Sequence, residues 1–303
     1  MRKTATTILL TILIPIIALA QERPATSPIK IWRGTPVYAP SVTLTPYHAD
    51  TRQPATAIIV CPGGSYCWHD RKNEGRLVAQ YLQQQGITAF VLNYRVQGMF
   101  QYGSHARLLY KGNQHPAMIM DAQRALQYIR EHAQELHIAP DRVGIMGFSA
   151  GGHLAMSAAS YHHTDFLAHR GINSTVSLRP DFVAPIYPVV TMTEDVTHRR
   201  SRRALLGEYR KWNKTLRDSL SVERHIPQDC PPVFLANCKD DPVVKYQNSV
   251  LLDSALTARG IPHTYIQYQT GGHGFGASDT KGTAESREWK QAFIQWLKTI
   301  KML

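Results

Sequence analysis

The chain has 303 residues, 43% hydrophobic and 18% charged, a length and apolar content that support one large buried core and argue against a disordered or disulfide-framework protein. Its formal net charge of +12 is dispersed, dense only over residues 198–203, and aromatic residues are not interleaved with it. That pattern excludes a nucleic-acid platform and leaves a solvated face, or one with affinity for acidic polysaccharide or anionic lipid.

In chain order, Arg2 and Lys3 precede an apolar run over residues 8–20 that ends Ala18-Leu19-Ala20, the pattern of a secretory signal peptide. The run is broken by Thr11 and Pro15 and is shorter than the roughly 20 residues of a membrane span. A mature, exported single domain over residues 21–303, periplasmic or extracellular, is predicted. An irregular opening with an antiparallel edge strand over 41–46 comes next, then a buried strand at 57–61. A helix over 74–85 is stopped by Gly86, and a strand follows at 88–96. Residues 97–115 form a long insertion rich in Gly, Tyr and His, of the kind that lines binding sites. Met118, Met120, Ala122, Ala125, Leu126 and Ile129 recur near helical spacing, which predicts an amphipathic helix over 116–135. A strand at 143–146, an apolar run at 182–190, a strand ending at Cys238, a helix at 248–259, a strand at 263–269 and a helix at 283–301 complete the order. Strands and helices that alternate in this way give a mostly parallel sheet covered on both faces.

Four cysteines are too widely spaced for a disulfide framework. Cys230 and Cys238 bracket a strand whose extension keeps them apart, whereas Cys61 and Cys67 flank a turn short enough to be bridged.

Gly147-Phe148-Ser149-Ala150-Gly151-Gly152 follows the strand at 143–146 and runs into a helix, which reads as a nucleophile elbow: the serine sits on a strained turn that needs small neighbours two residues away. A serine hydroxyl needs a base to take its proton and an acid to orient that base. Asp241 and His273 stand in the required chain order, each just beyond a late strand. Asp240 is the competing acid, read as a turn or capping residue. Glycines on both sides of His273 let its loop fold over the sheet edge, whereas His153, inside the helix after the elbow, reads as structural. The oxyanion donors are the Ala150 N–H and one from the glycine turn after the first core strand, Gly64 or Ser65. No H-E-x-x-H pattern, phosphate loop or dinucleotide fingerprint is present in the sequence, so neither a metal nor a cofactor is predicted.

Several segments carry a specific resemblance: Val60-Cys61-Pro62-Gly63-Gly64, Asp121-Ala122-Gln123-Arg124-Ala125, residues 144–155 around the elbow, Ser201 through Gly207, Asp240-Asp241-Pro242-Val243-Val244, and Gly271-Gly272-His273-Gly274-Phe275-Gly276. Through them the chain resembles the secreted bacterial α/β-hydrolases of the acetyl esterase and acetylxylan esterase-like group, related to the prolyl oligopeptidase and dienelactone hydrolase branches. The resemblance implies the α/β-hydrolase fold, a triad of Ser149, Asp241 and His273, and an oxyanion hole from Gly64 or Ser65 with Ala150. Ser65 stands where the family often has a third glycine, and Lys245 where a proline commonly follows the Val-Val pair.

It also implies a serine carboxylesterase that removes short acyl groups, most plausibly acetyl, from carbohydrates such as decorated xylan. Tyr66, Trp68, Tyr94, Arg95, Tyr102 and His115 are read as an aromatic and polar sugar platform. The alternatives are a peptidase or lipase-like esterase using the same triad, and a non-catalytic carbohydrate-binding protein of the same fold. The peptidase reading is weakened because the short N-terminal stretch cannot supply a propeller domain.

Overall fold

The computed structural model describes residues 27–104, 112–193 and 195–303; the predicted leader at 1–20 and part of the insertion lie outside the described residues. Its centre is a seven-stranded sheet in the order β1-β3-β2-β4-β5-β6-β7. The strands are β1 (Thr43–Tyr47), β2 (Ala55–Cys61), β3 (Thr88–Asn93), β4 (Ile138–Phe148), β5 (Val183–Ile186), β6 (Val233–Cys238) and β7 (His263–Tyr268). Only β1 runs antiparallel, against β3, and all other neighbours are parallel.

The helices are α1 (Leu77–Gln84), α2 (Met99–Gly103), α3 (Ala117–Glu131), α4 (Ala150–Ser160), α5 (Arg199–Leu206), α6 (Lys214–Ser219), α7 (Gln247–Ala258), α8 (Ala284–Arg287) and α9 (Trp289–Thr299). Side chains of β2 alternate between the two faces. Ala57, Ile59 and Cys61 pack with α3, α4 and α7, and Ile58 and Val60 pack with α1 and α9. The continuous apolar runs of the sequence are therefore strands buried on both faces.

The sheet order reverses between β2 and β4, since the chain leaves β2 toward β3 and then crosses to the other side. Loops at the carboxyl ends of strands on either side of such a reversal diverge and leave a crevice. The elbow after β4 and the glycine turn after β2 meet there, and the loops after β6 and β7 open onto the same edge.

Several element boundaries differ from expectation. The predicted helix at 74–85 begins as a π-helical turn, Arg71–Arg76, before α1. The predicted final helix is two pieces, α8, started by a capping box of Thr283 and Ser286, and α9, which follows a break at Glu288. The insertion includes α2, and α5 and α6 fill a stretch for which no helix was predicted. All four cysteines are free and buried, so Cys61 and Cys67 are not bridged. Among the described residues no helix is long and apolar enough to cross a membrane.

Candidate active site

Ser149 occupies the turn between β4 and α4 with φ 55° and ψ −118°, a left-handed backbone that an ordinary side chain adopts only under constraint. The constraint is visible around it. The Ser149 N–H donates to Ile186 O at 3.0 Å, and its carbonyl accepts from His153 and Val189. A Cβ on Gly147 would lie 1.9 Å from Gly151 O, and one on Gly151 would lie 2.0 Å from Cys61 O. The two glycines flanking the serine are therefore steric requirements of a helix pressed against two strands.

Ser149 Oγ lies 2.9 Å from His273 Nε2, and His273 Nδ1 lies 2.6 Å from Asp241 Oδ2. A carboxylate only accepts, so Nδ1 carries the ring proton and Nε2 is free to take one from the hydroxyl. The Asp241 side chain is 1% exposed and that of His273 12%, and Ser149 is buried as well. The second Asp241 oxygen accepts from the N–H groups of Val243 and Val244 at 2.8 and 2.9 Å. Asp240 acts elsewhere, since its two oxygens accept from Gly271 and Gly272 N–H at 3.1 and 2.8 Å and tether the histidine loop.

The glycine turn after β2 is held at three points. Gly63 N–H donates to Glu74 Oε2 at 2.7 Å, Tyr94 O–H donates to Pro62 O at 2.6 Å, and Tyr66 O–H lies 2.7 Å from His153 Nδ1. His153 Nε2 faces the Leu220 carbonyl at 2.8 Å, which fixes the proton there and leaves Nδ1 to accept from Tyr66. Ser65 and Tyr66 both hold positive φ, near 58° and 61°, so the turn depends on these anchors. Among the described residues no acceptor stands against the N–H of Gly64, Ser65 or Ala150. Replacing Gly64 would drive a Cβ to 2.1 Å from Trp68 O.

Among the described side chains, the residues read as a sugar platform do not form one surface. Tyr66 and Tyr94 are buried and pack edge-to-face on each other, their hydroxyls consumed by the contacts above. Arg95 is committed to Asp121 through several hydrogen bonds and an ion pair at 2.8 Å. With His115 it lines a cavity of about 600 Å³ whose lining includes none of Ser149, Asp241 and His273. Burial lowers the His115 imidazole to about 4, so it stays neutral. Trp68 is half-buried beside the glycine turn, with the Arg200 guanidinium 5.8 Å from its ring. Tyr102 lies in α2, and its side chain lies outside the described residues.

Residues that sequence reasoning passed over complete the site. Glu74 is buried between the glycine turn and Tyr187, whose ring lies 4.7 Å from that of His273. His198, at the start of α5, is held near 4 by burial, and His273 and Arg200 lower it further. The motif over residues 201–207 was one signal that His198 stands near the site, while Arg199 and Arg200 beside it are exposed.

The BD-FAE family model matches residues 45–256, which include Ser149 and Asp241. Endo-1,4-beta-xylanase B of Butyrivibrio fibrisolvens is 34% identical over 219 residues, covering 72% of this chain and 32% of that protein. Acetylxylan esterase of Xylanibacter ruminicola is 30% identical over 222 residues, covering 73% and 41%. The chain thus spans well under half the length of these curated relatives. The crystal structure of an acetyl ester-xyloside bifunctional hydrolase from Caldicellulosiruptor lactoaceticus is similar at 33% identity and TM-score 0.78, over 92% of this chain and 98% of that one. With a mostly parallel sheet, and with esterases named among its relatives and structural neighbours, the chain belongs to the BD-FAE family and is an acetylxylan esterase-like α/β-hydrolase.

Proposed function

We propose that the protein is an exported serine carboxylesterase that removes acetyl groups from carbohydrate esters such as acetylated xylan or its oligosaccharides. The observation that carries the reading is the 2.9 Å and 2.6 Å relay from Ser149 through His273 to Asp241. Ser149 Oγ attacks the ester carbonyl while His273 Nε2 takes its proton, and Asp241 stabilises the imidazolium that forms. The oxyanion develops against the N–H of Ala150 and of Gly64 or Ser65. The imidazolium returns the proton to the departing sugar alkoxide, which leaves an acyl-serine. Water, deprotonated by His273, then releases the acid.

The sugar preference is supported by the xylan-related names of the relatives and by the resemblance, and export by the first twenty residues. The test is mass spectrometry of acetylated xylo-oligosaccharides incubated with the protein, beside a Ser149→Ala control. Stepwise loss of acetyl mass should occur with the parent alone, and the substitution should cost about 10⁴-fold or more in rate. Near-parental deacetylation by Ser149→Ala would end the serine mechanism. Turnover of aryl acetates with no action on the sugars would favour the general short-chain esterase.

A further inference from the structure

The Glu74 carboxylate is buried and belongs to neither the nucleophile nor the relay. It sits on a π-helical turn, a distortion that often marks a functional position because it redirects one side chain out of helical register. Its Oε2 accepts from Gly63 N–H at 2.7 Å, beside the oxyanion turn, and its Oε1 from Tyr187 O–H at 2.9 Å. The Tyr187 hydroxyl in turn accepts from Gly276 N–H at 3.0 Å, in the loop that carries His273. Because Gly276 donates to that oxygen, the phenolic proton is directed at Glu74, and both carboxylate oxygens are acceptors. The same π-helical turn holds the histidine loop a second time, through Ala277 N–H on Asn73 O at 2.9 Å. The fit leaves no slack: a Cβ on Gly63 would meet Glu74 Oε2 and Phe148 O at 2.7 Å and Ser149 Cβ at 2.9 Å.

We propose that Glu74 is a positioning residue that clamps the oxyanion turn to the histidine loop through Gly63 and the Tyr187 hydroxyl, and whose buried negative charge stabilises the His273 imidazolium formed during acyl transfer. The proposal rests on the serine-esterase reading above. Burial raises the Glu74 pKa, while the charge of His273 and the hydrogen bonds from Tyr187 and Gly63 oppose that rise, which marks the two groups as electrostatically coupled. The groups that act on His273 are Asp241 from the loop after β6, Glu74 from the π-helical turn, His198 from the start of α5, and the Tyr187 ring after β5. Asp70 acts on Glu74 from the same turn, and Arg200 acts on His198.

Glu74→Gln keeps the shape and removes the charge. An amide offers one acceptor oxygen where two donors converge, so either Gly63 or Tyr187 loses its partner. With an aryl acetate as substrate, kcat is expected to fall about tenfold to a hundredfold, less than or comparable to the loss of an oxyanion donor outright. Loss of the charge makes the imidazolium harder to form, so the acid limb of the kcat/KM profile should move to lower pH by a few tenths of a unit or more. Tyr187→Phe removes the tether and leaves the carboxyl group in place, so kcat should fall while the acid limb moves less than in Glu74→Gln.

Parental kcat in a folded Glu74→Gln protein overturns the proposal, as does a loss that follows the unfolded fraction with an unmoved acid limb. Should Glu74→Gln not fold, Tyr187→Phe decides: reduced kcat supports the clamp and parental kcat overturns it. Ser149→Ala in the same assay separates the two readings. Inactive Ser149→Ala beside fully active Glu74→Gln overturns the clamp alone, whereas active Ser149→Ala overturns the serine site and the clamp with it.

Discussion

At the scale of single residues, the site is defined as much by atoms that are missing as by those present. Gly151 lies within α4 and holds no unusual φ, so its role is purely steric: a methyl group there would point at the Cys61 carbonyl from 2.0 Å. That oxygen belongs to a central strand and cannot swing aside as a side chain would. Gly151→Ala is therefore expected to destabilise by about 2 to 3 kcal/mol, at the upper end for overpacking, measured by urea unfolding. An unchanged unfolding midpoint would show that α4 can lift from β2 without cost. Ser149 itself was readable from sequence because its strain demands small neighbours, and glycine spacing records that demand directly. Glu74 was not. A lone glutamate in a polar helical start looks solvent-exposed, and its burial arises only when the loops after β2, β5 and β7 close over it.

At the scale of elements, the paired carboxylates of the loop after β6 show how one short turn serves two functions. Asp241 faces the imidazole, and Asp240 faces the backbone of Gly271 and Gly272. Asp241→Asn should lower kcat by about 10⁴-fold, because an amide permits the unproductive imidazole tautomer. Asp240→Ala should leave the melting temperature nearly unchanged, since water can reach the two N–H groups it would leave without their carboxylate. Its kcat should nonetheless fall, by about tenfold, as the histidine loop loosens. A larger loss for Asp240→Ala than for Asp241→Asn in a steady-state aryl acetate assay would reverse the two assignments. The order of strands and main helices was legible in the alternation of apolar runs with amphipathic ones. The π-helical turn and the break between α8 and α9 were not, since the first reflects tertiary closure and the second falls at a single residue, Glu288, inside a pattern that reads as continuous. The platform reading met a related ambiguity: tyrosines and an arginine near a sheet edge have the same composition whether they face a ligand or hold a turn, and here Tyr66, Tyr94 and Arg95 hold the framework.

At the scale of the whole molecule, the parallel sheet gathers distant loops onto one edge, and the described residues include four imidazoles, one buried and three half-buried, that stay neutral. His69, His115, His153 and His198 are each lowered from 6.5 to about 4, with burial the largest cause in every case. An imidazole with a lowered folded-state pKa binds fewer protons in the folded chain than in the unfolded one at any pH near or below the unfolded value. Falling pH therefore favours unfolding: the contribution is complete above about pH 6.5, declines toward pH 4, and levels off below it. At pH 5 each such group costs on the order of 2 kcal/mol relative to pH 7.5, before relaxation and non-additivity reduce the sum. The melting temperature should thus fall by about 10 °C or more between pH 7.5 and pH 5, before carboxylate protonation contributes at lower pH. His153 has the strictest requirement, because its Nδ1 must stay unprotonated to accept from Tyr66 while Nε2 donates to Leu220. Protonating it removes the Tyr66 anchor from the oxyanion turn, so esterase activity and stability should decline over the same window. The matched measurement is melting temperature and initial rate at half-unit steps from pH 7.5 to 4.5, with imidazole resonances followed by NMR. A flat melting profile, or a His153 resonance that titrates near 6.5 while the fold stays intact, would show that protons reach this framework without opening it.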